Sequence, residues 1–130
     1  MGRIILTERE EFVAQRIVNA AYIVHRELGP GLLEKVYEAC MAHVLREEGF
    51  VVVRQRIIPI AFRGLTFQEG LRLDLDVDDL IICEIKAIET INPVWAAQVL
   101  SHLTLTGRRV GFLINFNVVM IKDGIRRFVK

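Results

Sequence analysis

The 130-residue chain has 52% hydrophobic and 25% charged residues, a mix that excludes a disordered chain and fits one domain with one core. Its formal net charge of +1 neither requires nor excludes a nucleic-acid partner, because a basic face can be hidden in a balanced total. The longest stretch without a formal charge, residues 90–107, contains a proline and several polar side chains, which excludes a membrane span. Cys40 and Cys83 lie in apolar runs and are expected to be buried thiols rather than a disulfide. We expect a single domain over residues 1–130 of a cytoplasmic protein.

Two helices are predicted at the start of the chain. Thr7 and Glu10 have the spacing of a capping box, and the apolar pattern after them predicts a helix up to about residue 28. The Gly-Pro-Gly segment at residues 29–31 ends this helix, because proline cannot continue it and glycine tolerates the turn. A second helix, with a clean apolar stripe, is predicted over about residues 32–48.

One acidic residue of the second helix stands out. At roughly 100° per residue, Glu34 projects into the apolar arc between Tyr37 and Leu45, whereas Glu38 falls just outside that arc. A carboxylate on an apolar face is costly unless it is paired or binds a metal. Glu34 is therefore a candidate functional residue, and Tyr37 is first of all a core candidate.

The remainder of the chain predicts strands around one further helix. Pro59 favours an edge strand or a bulge, and Glu69-Gly70 is a candidate bulge before the next strand. Asp123-Gly124 predicts a hairpin turn. The predicted helix covers about residues 92–106, and the predicted strands cover residues 51–53, 55–62, 71–77, 80–87, 110–116, 118–121 and 125–129.

The stretch 73–88 carries charges between apolar residues and predicts two strands joined by an acidic turn. Glu84 and Lys86 are two apart and share one side of the sheet. A turn with an odd number of residues, or a bulge, places Asp74 opposite Glu84. A plain two-residue loop instead pairs Asp74 with Cys83 and puts the two acids on opposite faces, so the register stays open.

In the first register, the two carboxylates with a backbone carbonyl suit Mg²⁺, or Mn²⁺, as oxygen ligands. Such a metal polarises a phosphoryl oxygen and lowers the pKa of a bound water, and Lys86 neutralises charge on the phosphorus centre. Glu34 would reach in from the second helix, and Gln98 from the third. The chemistry predicted is metal-dependent hydrolysis of a phosphodiester.

Several of these motifs recur in one known family. The segment 31–37 fits a Gly-x-x-Glu-x-x-Tyr motif, 72–75 an Arg-x-Asp-Leu strand, 84–87 a Glu-x-Lys strand, 98–103 a glutamine helix and 111–117 the strand after it. Together they resemble the GxxExxY proteins of the PD-(D/E)xK nuclease superfamily. The resemblance extends over most of the chain, from the first helix to Arg127.

The resemblance implies an α/β fold, a mixed sheet with flanking helices in the restriction-endonuclease-like αβββαβ order. It implies that Asp74 and Glu84 are metal ligands and Lys86 is the catalytic lysine, with Glu34 and Gln98 as supporting catalytic residues. His102 stands where the family usually has tyrosine, and since histidine hydrogen-bonds and stacks, we expect His102 to contact the substrate. Tyr37 is the other candidate for substrate binding.

Two functions of different classes follow from these residues. The first is a metal-dependent nuclease acting on nucleic acid, with DNA favoured over RNA. The alternative is a non-catalytic module that binds nucleic acid or a partner protein and keeps the site as structural inheritance, with arginines in the sheet region or towards the end as candidates for a phosphate-contacting patch. In either case the short chain suggests a homodimer or a partner subunit that helps to grip the substrate.

Overall fold

The structure is a computed structural model, and it describes residues 3–130. The described chain forms three α-helices, five β-strands and one short 3₁₀ helix. In chain order, these are α1 (Glu8–Leu28), α2 (Glu34–Glu47), β1 (Val52–Phe62), β2 (Leu65–Val77), β3 (Ile81–Lys86), α3 (Val94–Thr106), β4 (Val110–Asn115), the 3₁₀ helix (Ile121–Asp123) and β5 (Ile125–Val129).

The strands form one mixed sheet with the order β1-β2-β3-β4-β5. β3 and β4 are parallel, and α3 makes the crossover between them, as parallel pairing requires. The other neighbouring pairs are antiparallel. This arrangement confirms the predicted α/β class and is consistent with the restriction-endonuclease-like fold.

The helices cover both faces of the sheet. α1 and α2 pack on one face, where Tyr37, Met41 and Phe112 are buried in the larger core cluster. α3 packs on the other face, where Val99 and Leu103 join Leu73, Ile82 and Leu113 in a smaller cluster. The polar residues of β3, Glu84 and Lys86, are therefore partly buried.

The ends of the helices follow the local signals in the sequence. Thr7 and Glu10 form the predicted capping box, in which the Thr7 hydroxyl accepts from the Glu10 amide at 3.0 Å and the Glu10 carboxylate accepts from the Thr7 amide at 2.8 Å. The side chain of Asn92 accepts from the Val94 amide at 3.0 Å at the start of α3. Gly107 ends α3 with a left-handed conformation, φ 73°.

The β1–β2 hairpin is longer than predicted, because β2 begins at Leu65, directly after a two-residue turn at Arg63 and Gly64. Both turn residues have positive φ, 48° and 87°, as a tight hairpin turn requires. The register shifts between Ile58 and Ile60, opposite the Glu69-Gly70 segment, which confirms the predicted bulge.

The predicted strand over residues 118–121 is wrong. The chain bends after β4 and forms the 3₁₀ helix instead, and Val119 is 92% exposed. The buried side chain of Asn115 accepts from the Asn117 amide at 3.1 Å, which turns the chain away from the sheet. The connection to β5 is consequently a loop that ends at Gly124, rather than a tight turn at Asp123-Gly124.

Between residues 3 and 130, no helix combines the length and the apolar character needed to cross a membrane.

Candidate active site

The turn between β2 and β3 sets the register of the two acidic strands. It contains the three residues 78–80, and Asp78 and Asp79 both adopt left-handed φ values of 54°. The ladder pairs Val77 with Ile81 and Leu75 with Cys83, so the next position places Asp74 opposite Glu84. The register with an odd turn is therefore the one that the structure adopts.

The two strands separate at this point and form a fork. The β2–β3 ladder ends at Leu75 and Cys83, and beyond it the Asp74 carboxylate accepts a hydrogen bond from the Ile85 amide at 2.9 Å. A side chain thus replaces the backbone partner that the ladder would have supplied. Asp74 is held by this bond against the strand that carries Glu84 and Lys86.

Glu84 lies in the fork with an unusual electrostatic environment. Its side chain is only 12% exposed, and its Oε1 lies 3.2 Å from Nδ1 of His102. Burial raises the pKa of Glu84 to about 7; the Asp74 carboxylate also raises it, and His102 acts in the opposite direction. The fork therefore holds two carboxyl groups that resist being ionised together.

Lys86 lies one pleat further along β3, and its ammonium group is 4.8 Å from the centroid of the Trp95 ring. A cation over an indole face is attracted by the ring quadrupole. Trp95 belongs to the first turn of α3, so the helix that follows the fork restrains this lysine.

Glu34 is the first residue of α2 and is exposed. Partial burial raises its pKa, as does the Asp74 carboxylate, while Lys86 lowers it. These influences place Glu34 beside the fork, at the end where β2 and β3 diverge. Glu34 is close enough to Asp74 and Lys86 for their charges to act on it, but it is exposed rather than buried.

The glutamine helix contributes one residue that contacts the fork and one beside it. Val99 and Leu103 anchor α3 to the sheet, and His102 reaches Glu84. Gln98 lies one turn before His102 on the same helix face and is exposed.

The structure does not bring Tyr37 into this group. Its side chain is fully buried and stacks on Phe116 with ring centroids 4.5 Å apart. Its hydroxyl donates to the Gly29 carbonyl at 2.6 Å and accepts from the Leu32 amide at 3.0 Å. Tyr37 therefore holds the loop between α1 and α2, and substrate binding by Tyr37 has no support in this arrangement.

Two residues near the fork, Glu38 and Gln55, were not predicted from the sequence as part of the site. Glu38, not Glu34, is the buried acid of α2, with 5% of its surface exposed. Gln55 donates to the Glu38 carboxylate at 2.5 Å and to the Asp74 carboxylate at 3.3 Å. Glu38 also accepts from Arg54 at 3.0 Å. Gln55 thus links the buried acid of α2 to Asp74.

Gln55 also has a backbone conformation that is rare in a strand. Its φ is 52°, a left-handed value that costs a non-glycine residue on the order of 1–3 kcal/mol. The distortion lies opposite Asp74, at the level where β2 leaves β3. A left-handed residue inside a strand leaves no periodic pattern, so nothing in the sequence signalled the position of Gln55. For Glu38, the only signal was its place on α2, four residues after Glu34.

Comparison with known proteins bears on this geometry. Residues 11–128 match the family model of the PD-(D/E)XK nuclease superfamily. The chain belongs to this superfamily. Searches of curated proteins and of solved structures gave no match.

PD-(D/E)XK nucleases generally use divalent metal ions, so the fork was tested for a fit to such an ion. Within residues 3–130, no three His, Cys, Asp or Glu side chains are grouped so as to hold a metal. Asp74 and Glu84 alone form a pair of oxygen ligands, which fits Mg²⁺, an ion bound through one or two carboxylates with several retained waters.

Proposed function

We propose that this PD-(D/E)XK protein is a metal-dependent nuclease that hydrolyses phosphodiester bonds of nucleic acid. The observation that carries the proposal is the fork, where Asp74 stands opposite Glu84. In the described part of the chain, neither carboxylate forms an ion pair with a lysine or an arginine. Two adjacent, partly buried acids without such a partner favour the binding of a cation.

In this proposal Asp74 and Glu84 hold Mg²⁺ or Mn²⁺. Such an ion, when bound, would supply Lewis-acid chemistry toward the phosphoryl oxygen and the attacking water. His102 hydrogen-bonds Glu84 and keeps its carboxylate turned into the fork. The Ile85 amide and Gln55 do the same for Asp74.

The remaining residues act on the substrate side of the fork. Lys86, held over Trp95, brings a positive charge toward the phosphate oxygens, where negative charge develops in the transition state. Glu34, with its raised pKa, accepts a hydrogen bond from the attacking water. Gln98 and His102 project from one face of α3 and contact the substrate backbone.

The narrower assignments rest on the motifs. The segment 31–37 and the strands carrying Asp74 and Glu84 support membership of the GxxExxY group, with residues 1–130 as one nuclease domain. DNA is the preferred substrate in this proposal. Both cysteines are free thiols, which agrees with a reducing compartment such as the cytoplasm.

Cleavage assays with purified protein test the proposal. Single-stranded, duplex and branched DNA and RNA are incubated with Mg²⁺, Mn²⁺ or EDTA, and products are resolved by length. We expect metal-dependent cleavage that Lys86→Ala lowers at least about 100-fold, because the lost charge acts in the transition state. Lys122→Ala is the matched control, since Lys122 is exposed on the 3₁₀ helix. Activity that survives Lys86→Ala indicates a contaminating nuclease and contradicts the proposal.

The second candidate is a non-catalytic module that binds nucleic acid or a protein. It is favoured by the lack of a three-ligand metal cluster among residues 3–130. Salt-sensitive nucleic-acid binding that is unchanged by EDTA and accompanied by no cleavage would support it. Light scattering in solution determines whether the protein is a homodimer or needs a partner subunit.

A further inference from the structure

The outer part of the β1–β2 hairpin, residues 57–72, extends beyond the neighbouring strand, and we name it the arm. β3 pairs with β2 only at Leu75–Val77, so among the described residues the arm has no strand beside it. Residues 61–70 are all exposed. A two-stranded ribbon of this kind is marginally stable by itself in water. A role other than stability is therefore needed to explain its exposed side chains.

One face of the arm is apolar and rich in aromatic rings. Ile60 is paired with Phe67, and Phe62 with Leu65, and directly paired residues share a face. Phe62 and Leu65 are each 59% exposed and Phe67 is 52% exposed. The opposite face at this level carries Ala61 and Thr66.

The apolar face continues toward the fork. At the base of the arm, Ile58 and Leu71 pack against the cluster that α3 forms with the sheet. Ile60 and Phe62 follow Ile58 at two-residue spacing, which keeps them on the same side of the strand. That is the side on which α3 contacts Glu84.

The charge of the arm suits a polyanion. It carries two arginines against one glutamate. The guanidinium group of Arg63, at the tip, lies 5.6 Å from the centroid of the Phe62 ring. Exposed aromatic rings with adjacent arginine are the combination on which unpaired bases stack.

A second apolar surface shows the opposite character. A cavity of about 650 Å³ between α1 and α2 has an apolar lining that includes Ile23 and Val24. Its other lining residues include Glu27, Glu47 and Glu48, which repel phosphate. Of these two apolar surfaces, the arm is the one whose charge is compatible with nucleic acid.

We propose that the apolar face of the arm is a stacking platform for unpaired bases, so that the substrate is single-stranded nucleic acid or a branched form with a single-stranded segment. Bases in a duplex stack on each other and do not offer their faces to Phe62 and Phe67. Phe67 is seven residues from Asp74 along β2 and the bulge at Glu69-Gly70 shortens the path, so the platform lies within about 23 Å of the fork, a span of several nucleotides. The cleavage of the bound strand rests on the proposed nuclease function, but the binding does not.

Binding is measured by fluorescence anisotropy in EDTA, with labelled oligothymidine of about 20 nucleotides and a duplex of equal length. We expect the full chain to bind the single strand at least about 10-fold more tightly than the duplex. The double variant Phe62→Leu/Phe67→Leu keeps the apolar bulk but removes the rings, and it should lose about 10-fold or more of the single-strand affinity. Phe62→Trp/Phe67→Trp should retain that affinity.

Thr66→Ala, on the opposite face of the arm, is the matched control and should bind like the wild type. Equal affinity for both oligonucleotides, no binding, or an unchanged leucine variant overturns the platform. If the protein is a dimer and the double leucine variant binds DNA as well as the wild type does, the apolar face is an interface with a second copy. This result also overturns the platform. The binding assay does not depend on nuclease activity, because EDTA prevents metal-dependent cleavage. A protein that binds through the two rings in EDTA but cleaves nothing when Mg²⁺ or Mn²⁺ is present refutes only the nuclease function.

Discussion

The two ends of the β2–β3 hairpin carry similar acids in different surroundings. At the turn end, the side chain of Asp76 is 0% exposed and lies 2.6 Å from Arg108 and 3.5 Å from Arg56. The neighbouring turn residues are also paired, Asp79 with Arg56 and Asp78 with Arg9. Each acid of the turn therefore has an arginine partner, and the group stabilises the sheet.

At the fork end, Asp74 and Glu84 face each other without such a partner. The Asp74 carboxylate accepts hydrogen bonds from Ile85 and Gln55, and Glu84 from His102 when Nδ1 carries the proton. Hydrogen bonds orient a carboxylate without neutralising the pair. The difference teaches that the number of acids in a hairpin does not by itself point to a cation site, because arginines pair with the acids at one end and leave the fork as the proposed site.

The sharpest way to break this comparison is Asp74→Asn. Removing one of the two carboxylates proposed to bind the metal should abolish Mg²⁺ and Mn²⁺ binding in calorimetry and lower cleavage by about 10³-fold or more. Glu47→Gln, an exposed acid on α2, is the control and should change neither measurement. Full metal affinity in Asp74→Asn would show that the fork is not the cation site.

Asp76→Ala tests the turn end. It leaves Arg108 and Arg56 without their shared buried partner, and breaking a buried ion pair costs about 3–5 kcal/mol of unfolding free energy. Urea denaturation measures the loss. Metal affinity of the folded fraction should stay unchanged, and a large fall in that affinity would contradict the separation of the two ends.

Glu84→Gln should stabilise the metal-free protein at alkaline pH. The pKa of Glu84 is raised from 4.5 to about 7 in the folded state. The folded chain therefore holds the proton more tightly, and stability falls as the pH rises from about 4.5 to about 7. The full penalty is roughly 3 kcal/mol above about pH 7, and glutamine does not carry it.

The measurement for Glu84 is urea denaturation in EDTA at about pH 5 and about pH 8, in both proteins. The free energy of unfolding of the variant should rise relative to that of the wild type at the higher pH. The difference between the two proteins isolates the contribution of Glu84. Saturating Mg²⁺ should restore the stability of the wild type at the higher pH and should not raise the stability of the variant. A stability difference that does not change with pH would disprove the raised pKa.

Gln55→Ala should have the smallest effect. It removes the link between Glu38 and Asp74, and loss of a residue that orients a metal ligand lowers metal affinity about 10-fold to 100-fold. Gln68→Ala, an exposed glutamine on the arm, is the matched control for calorimetric Mn²⁺ titration. Unchanged affinity would mean that the Ile85 amide alone holds Asp74.

Local signals in the sequence were sufficient where an interaction is made within a few residues. The capping box at Thr7 and Glu10 and the end of α3 at about residue 106 depend on contacts within one helix turn, and both are confirmed. The bulge at Glu69-Gly70 is also confirmed, because proline and glycine interrupt a strand wherever it lies. The strand predicted at 118–121 failed because the bonds of Asn115 turned the chain away from the sheet.

The burial of the α2 acids could not be judged from periodicity. Glu34 projects into the apolar arc but is the first residue of the helix and is exposed. Glu38 falls outside that arc but faces Arg54 and Gln55 of β1, and it is buried. The apolar arc of one helix does not show which polar partners a neighbouring strand supplies.

The sequence by itself determined the α/β class and most element ends, which depend on short-range pattern, and its motifs proposed the set Glu34, Asp74, Glu84, Lys86 and Gln98. Only the tertiary structure decided that the turn holds three residues, that Asp74 therefore stands opposite Glu84, and that the arginines gather at the other end of the hairpin. The physical reason is that strand register and charge pairing join residues from different elements. Those contacts depend on how the strands and helices pack.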